Sequence, residues 1–419
     1  MTSTQDWNWN TDKKLVADIG ALRSEFEDVH EFVASPDGER IAVPVVKGED
    51  EMGVSVNGQL LEGEFERAWK LTYTPDGRLV SLVRIDDEWT VAVDGVPWEE
   101  TYDFAWNIKF SEDGSVIAVQ VKQEPKYTVA INGKTCENTF LAMRDYVLSD
   151  DGKKFAATVQ VETLAEGDIF KFLEGTWSVA VDGEAWAKKY MNVYGPRFSP
   201  DGSRVAVEIR TDIAEYTLAE NDTPWENKFG CIWEPLYRPD GSLVVPVKTP
   251  TGWTLAENGN VLWKGRYVQI WNQKVSPDGK RVAAVAAPSY GQWTIVVDDV
   301  PWKCTFNDMV LPPIFSLDGS RVAAIVKNDN RWGIAVDGSA WAQTFDMVWD
   351  PVFSPDGSTV AAKVDKNGKY AIAVNGKLWS PEFEALWDPA FSPDGNKVLV
   401  RGVVDGKYYR QIVSLTEMI

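Results

Sequence analysis

The sequence predicts an all-β chain built from ten similar four-stranded units, and two repeated turns carry that prediction. The tetrapeptide Ser-Pro-Asp-Gly, or a near variant, recurs ten times in 419 residues, with its glycine at Gly38, Gly77, Gly114, Gly152, Gly202, Gly241, Gly279, Gly319, Gly357 and Gly395. The steps between them are 39, 37, 38, 50, 39, 38, 40, 38 and 38 residues. A second turn dipeptide falls about midway, as Asn57-Gly58, Asp94-Gly95, Asn132-Gly133, Asp182-Gly183, Asn258-Gly259, Asp337-Gly338 and Asn375-Gly376. Self-similarity at a period near 40 residues marks repeat architectures, in which each unit buries its apolar faces against its neighbours.

Each element follows from local chemistry. In Pro-Asp-Gly, Pro pre-sets one φ, Asp bonds back to the local backbone, and Gly accepts a positive φ. Asn-Gly and Asp-Gly suit the type I′ hairpin turn, which needs positive φ at both central positions. The unit WDPVFSPDGSTVAAKVDKNGKYAIAVNGKLWSPEFEAL, residues 349–386, therefore reads strand, turn, strand, turn, strand, turn, strand. Four short antiparallel strands in that length make one blade of a β-propeller. No stretch sustains a 3.6-residue apolar period, so helices are incidental.

Aromatic residues keep step with the turns. Twelve residues before the turn glycine stand Phe26, Phe65, Tyr102, Phe140, Tyr190, Phe229, Tyr267, Phe345 and Phe383. Eight before it stand Trp69, Trp106, Tyr194, Trp233, Trp271, Trp349 and Trp387. Trp89, Tyr127, Trp177, Tyr216, Trp253, Trp293, Trp332 and Tyr370 open the third strands, and a looser set from Trp98 to Trp379 follows the last turn, with Cys136 once in place of Trp. Large rings recurring once per blade are expected to pack blade on blade as core.

The chain ends one strand short: after Gly395 no fourth strand remains, while residues 14–29 resemble the second half of a repeat. The N-terminal segment is therefore expected to supply the outer strand of the last blade and close the ring, removing a free edge. Even spacing without a linker favours a single ten-bladed ring over the alternative of two five-bladed rings. The expected organisation is a tail, residues 1–13, and a propeller, residues 14–419, with an insertion at about 162–176 where the 50-residue step falls. Two segments outside the repeat pattern carry candidate partner-binding residues. They are Ile169, Phe170, Phe172 and Leu173 in the insertion, and Trp7 and Trp9 in the tail.

Composition narrows the function. With 42 Lys and Arg against 63 Asp and Glu, the net charge is −21, which disfavours nucleic acid and anionic membrane surfaces. Cys136, Cys231 and Cys304 are widely separated, so neither a disulfide framework nor a Cys-x-x-Cys metal or haem motif is expected. There is no run of 18 apolar residues and no signal-peptide pattern, which leads to the expectation of a cytoplasmic protein without a membrane span. The one histidine, His30, occupies a position held elsewhere by tryptophan and reads as a packing substitution. No catalytic, cofactor-binding or metal-binding residues are nominated. Two-carboxylate glycoside chemistry stays open in principle, but 63 acids nominate no pair.

Trp349–Gly357 and Trp387–Gly395, both Trp-x-Pro-x-Phe-Ser-Pro-Asp-Gly, resemble the TolB-type and WD-like β-propellers over nearly the whole chain. The Gly-His and Trp-Asp marks of true WD repeats are missing, as are the export signal and N-terminal domain of TolB. Within that group, the acidic, tryptophan-rich composition is similar to that of the tryptophan-rich D subunits of the Tmc transmembrane electron-transfer complex of sulfate-reducing bacteria. That resemblance implies a cofactor-free accessory subunit on the cytoplasmic face, peripheral to the inner membrane, beside iron–sulfur and membrane cytochrome subunits. The expectation is a non-catalytic, protein-binding propeller, with a carbohydrate-binding or carbohydrate-cleaving propeller as the alternative.

Overall fold

Every apolar strand in this chain has two faces to bury, and the computed structural model, which describes residues 6–419, shows how they are buried. Ten antiparallel sheets follow one another as blades 1 to 10, at residues 28–60, 67–97, 104–135, 142–185, 192–224, 231–261, 269–301, 309–340, 347–378 and 385–414. Each runs in the order A, B, C, D; in blade 2 these are Arg67–Tyr73, Leu79–Ile85, Glu88–Val93 and Val96–Pro97. The A strands of neighbouring blades touch one another, so they line the axis.

Ten apolar clusters hold the ring, each drawn from two successive blades. Ala206 and Leu218 of blade 5 pack with Ile232, Tyr237 and Leu243 of blade 6. Val403 and Tyr408 of blade 10 pack with Ile41 and Val43 of blade 1. Two five-bladed rings would have joined blade 5 to blade 1 and blade 6 to blade 10. The protein is a single ten-bladed propeller.

The N-terminus closes it as expected. Lys13–Asp18 pairs antiparallel with Lys407–Ser414, Leu15 opposite Tyr409 and Asp18 opposite Lys407. Beyond it the repeat-like reading of residues 14–29 needs adjustment, because Ile19–Glu25 forms a short helix. Asp18 caps that helix by accepting from the Ala21 N–H at 3.0 Å, and Ile19 and Leu22 are buried beneath it.

The two turns do more than reverse the chain. In the A–B turn the serine hydroxyl donates to the aspartate, as Ser392 does to Asp394 at 2.6 Å, and the serine oxygen accepts from the N–H five residues on. In the C–D turn the Asn or Asp oxygen accepts from the first N–H of strand B, as Asn375 does from Val360 at 2.9 Å. Blades 5 and 7 make the same turn as Asn221-Asp222 and Asp298-Asp299, with positive φ at all four residues. Both turns lie at one end of the sheets, which we call the turn face. The B–C turns and D–A connections form the opposite, loop face.

On the turn face a cation stitches most blades to the next. Arg78 donates to the Gly114 carbonyl at 2.6 Å, Lys154 to Gly202 at 3.1 Å, Arg204 to Gly241 at 2.8 Å, Arg238 to Gly279 at 2.5 Å, Arg281 to Gly319 at 3.1 Å and Arg321 to Gly357 at 2.8 Å. Arg40 donates to Gly77 likewise. The tryptophans after the last turn pack on the next blade's C–D glycine. A Cβ on Gly376 would meet the Trp341 ring at 3.2 Å, and one on Gly183 would meet Cys136 Sγ at 2.7 Å. Cys136 thus fills the tryptophan's place.

Candidate functional site

The aromatic sets separate into core and surface. The residues twelve before the turn glycine are largely buried between blades, Phe65, Tyr102 and Phe345 among them, and bridge to the residue that opens the preceding strand C. Phe306 completes this set, displaced by one position in the Leu311-Pro312-Pro313 blade. The set eight before the glycine behaves differently. It sits where strand A opens on the loop face, and every tryptophan of the set packs on the C-strand opener of its own blade, while Tyr194 lies beside Arg144 of the preceding blade.

Trp233 stacks on Trp253 with centroids 5.4 Å apart and planes 4° apart, and Trp271 on Trp293 at 4.7 Å. Trp106 meets Tyr127 edge-on at 6.0 Å, and Trp349 meets Tyr370 at 5.6 Å. These rings are not closed core: Trp69 is 57% exposed and Tyr194 and Trp233 are also exposed. Blade-on-blade packing therefore holds for Trp271 and Trp387, which join clusters between blades, Trp387 meeting Phe32 of blade 1 at 5.9 Å, and not for the exposed Trp69, Tyr194 and Trp233. The set's tryptophans pack within a blade, and the set forms an aromatic belt around the mouth of the axial opening.

The belt lacks an aromatic residue in blades 1, 4 and 8: in blade 8 Leu311 fills the place with apolar bulk, in blade 4 a cation does, and in blade 1 neither does. In blade 4 the position belongs to Arg144, whose guanidinium lies 3.7 Å from the centroid of Trp177. In blade 1 it belongs to His30, and Met52 opens the C strand, so neither ring is there. A cleft of about 1010 Å³ opens at that gap, with Trp69, Trp89, His30, Glu31, Lys70 and Asn107 on its walls. His30 is exposed on this wall, so it substitutes for tryptophan in sequence register without taking up its packing role.

The insertion stands on the same face. It joins strands B and C of blade 4, and Ile169–Glu174 within it is helical, with Asp168 capping the Lys171 N–H at 3.0 Å. Its base is fixed: Val161 N–H bonds Thr176 O at 2.9 Å, and Glu162 pairs with Lys189 at 2.5 Å. Its crown is open. Phe170 is 83% and Ile169 67% exposed, Leu173 is exposed, and Phe172 is half-buried. Trp7 and Trp9 are half-buried, stacked on each other at 6.0 Å, and tied to blade 10 by a bond from Lys397 to Trp9 O at 2.8 Å. Lys397 begins strand B, so the tail lies on the turn face. The structure therefore brings Ile169, Phe170, Phe172 and Leu173 together and places Trp7 and Trp9 at the other end of the blades.

The charged groups have structural explanations. The turn aspartates Asp113, Asp151, Asp201, Asp278, Asp318 and Asp394 are held down to about 2, first by the serine hydroxyl that bonds each one. Burial acts the other way on Asp388, Asp150 and, most strongly, Glu208. Buried in strand B of blade 5, its carboxyl is pushed up to about 7 by loss of solvent. Among the described residues no three His, Cys, Asp or Glu gather as a metal ion would need, and no helix is long and apolar enough to cross a membrane.

No protein-family model matches the chain, and no curated protein matches its sequence. Among solved structures it is similar to a eukaryotic initiation factor at 12% identity, over 77% of this chain and 89% of that one, with a TM-score of 0.50. It is also similar to the Dos1 propeller, at 11% identity over 97% and 95% with a TM-score of 0.37. TolB from Acinetobacter baumannii matches at 14% identity over 73% and 78%, with a TM-score of 0.30. Such likeness speaks to fold alone.

Proposed function

We propose that this propeller is a non-catalytic scaffold that binds a protein partner on its loop face. The observation that supports the reading is the insertion helix: a rigidly based crown that leaves Ile169, Phe170 and Leu173 exposed beside the aromatic belt. An apolar cluster held out on a fixed base suits a contact surface, since solvent contact of large apolar side chains is unfavourable and a partner relieves it.

The narrower reading is an accessory subunit, itself without cofactor, of a membrane-bound electron-transfer complex. It would lie on the cytoplasmic face beside iron–sulfur and cytochrome subunits. Its support is the resemblance in composition and repeat style.

Native co-purification from gently solubilised membranes tests both. A partner in fixed stoichiometry that is lost on Phe170→Asp, with folding intact, is the expected result. Haem- and iron–sulfur-bearing subunits in that fraction would carry the narrower reading. A lone protein in the soluble fraction would sink it, and a partner indifferent to Phe170→Asp and Ile169→Asp would remove the insertion as the docking element.

A further inference from the structure

Resting on the protein-binding reading, we infer that the cleft at blades 1 to 3 receives a Lys- or Arg-bearing segment of the partner, with one cation over the indole of Trp69. Three independent observations lead there.

The first is the gap in the belt. His30 and Met52 replace the aromatic pair of blade 1, and the missing bulk leaves the cleft of about 1010 Å³ with Trp69 more than half exposed on its wall. The neighbouring Trp89 lies 6.3 Å away with planes 62° apart, so it does not stack on Trp69, which keeps 57% of its surface exposed.

The second is how the protein treats other rings of the same mouth. Arg144 covers Trp177 at 3.7 Å, Lys363 covers Trp349 at 4.0 Å, Lys327 covers Trp332 at 5.0 Å and Arg210 covers Tyr216 at 5.7 Å. Of these rings only Trp349 shares the register of Trp69, joined there by Tyr194, which lies 5.4 Å from the guanidinium of Arg144. Trp177, Trp332 and Tyr216 open C strands, so a cation over an aromatic face recurs at this mouth without being present in every blade, favoured by the ring's quadrupole. Among the described residues no Lys or Arg lies over Trp69. The nearby guanidiniums are committed, Arg67 to Asp50 at 2.6 Å and Arg84 to Glu66 at 3.5 Å and to Asp87.

The third is charge. Residues 25–103, spanning blades 1 and 2, carry 20 carboxylates against six Lys and Arg, a net of −14 out of −21 for the whole chain. Glu31 on the cleft wall has no cation partner among the described residues. Such a field attracts a basic segment and repels an acidic one. Lys70, beside Trp69, opposes the incoming cation, which gives the inference a sign that can be checked.

The test titrates the full-length protein with the peptide acetyl-Gly-Arg-Gly-Arg-Gly-Arg-Gly-amide at physiological salt, against a copy in which citrulline replaces each arginine. The expected results are binding of the arginine peptide, at least tenfold weaker binding of the citrulline copy, and loss of about fivefold or more on Trp69→Leu. Trp69→Phe, which keeps a ring, should fall between, and Lys70→Ala should tighten binding. Circular dichroism and melting temperature confirm that each variant is folded. Unchanged binding on Trp69→Leu, or weakening on Lys70→Ala as an anion site would give, overturns the inference. So does spermine competing as tightly as the peptide, which would assign the cleft to a free polyamine. A co-purified partner lost with Phe170→Asp but kept with Trp69→Leu would defeat this inference alone, leaving the scaffold reading intact.

Discussion

Arg204 Nη2 of blade 5 donates to the carbonyl oxygen of Gly241, the turn glycine of blade 6, at 2.8 Å. This is the junction at which two five-bladed rings would have parted, and the stitch there is the same as at other junctions. Arg204 is further held by Glu220 at 2.9 Å and lies 5.3 Å over the ring of Tyr237, itself in the apolar cluster of blades 5 and 6. One side chain thus links both blades through polar and apolar contacts.

Arg204→Met keeps most of the side chain's apolar stem and removes the charge-assisted bond. Hydrogen bonds to charged groups contribute about 1.5–3 kcal/mol, and this one is partly open to water, so a loss of about 1–2 kcal/mol is expected. Urea denaturation measures it. A shift no larger than that of Arg23→Met, an exposed helix position away from the stitches, would show the stitch to be passive.

The pH dependence of stability has two limbs, set by opposite groups. Glu208 keeps its proton to about pH 7 in the folded chain but releases it near 4.5 when unfolded. The folded state therefore binds the extra proton, and stability falls as pH rises from about 4.5 through 7. The full shift corresponds to about 3 kcal/mol at pH 8. Gln120, at the equivalent position of blade 3, donates to Met143 O at 3.1 Å across to the next blade, so an amide is compatible with this place. Glu208→Gln is expected to be near neutral at pH 4 and stabilising by up to about 3 kcal/mol at pH 8. Equal effects at both pH values would refute the ionisation account. On the acid side the turn aspartates work the other way. Their stabilisation is complete above pH 3.8 and is lost as pH falls toward about 2.

These residues also show what the sequence made legible. Ten turn glycines and the missing last strand announce the repeat and its closure, because turn chemistry is local. The choice between one ring and two is not local: even spacing without a linker favours one ring but does not show which blades meet. It is decided by which faces meet, as Leu218 and Tyr237 do across blades 5 and 6. The exposure of Trp69 was hidden for a related reason: a register fixes a position along strand A, not whether bulk from the next blade covers it. Asn221-Asp222 escaped the turn pattern because Asp222 takes the positive φ usually given to glycine. Glu208 had a faint signal, a single acid in the alternating run Val205–Ile209, with no partner readable from the sequence.

Closure of the ring depends on Arg410, which is almost wholly buried in strand C of blade 10. Its guanidinium donates to Asp37 O at 2.9 Å in blade 1, pairs with Glu39 at 3.0 Å and Asp12 at 3.8 Å, and bonds Asn8 O. The first blade, the last blade and the N-terminal segment therefore meet on one side chain. Removing it leaves these partly exposed acceptors without their shared donor and frees the strand Lys13–Asp18 to detach. The partners left behind stay in contact with water, so the loss is that of hydrogen bonds to a charged group, and Arg410→Met is expected to lower stability by about 1–3 kcal/mol. Detachment would expose the edge of Lys407–Ser414, a template for pairing between chains. The variant should therefore show faster proteolysis ahead of Asp18 and concentration-dependent aggregation. If the N-terminal segment stays as protected in Arg410→Met as in the parent protein, closure rests on the strand ladder between Leu15 and Tyr409 and on the apolar cluster around Tyr408 instead.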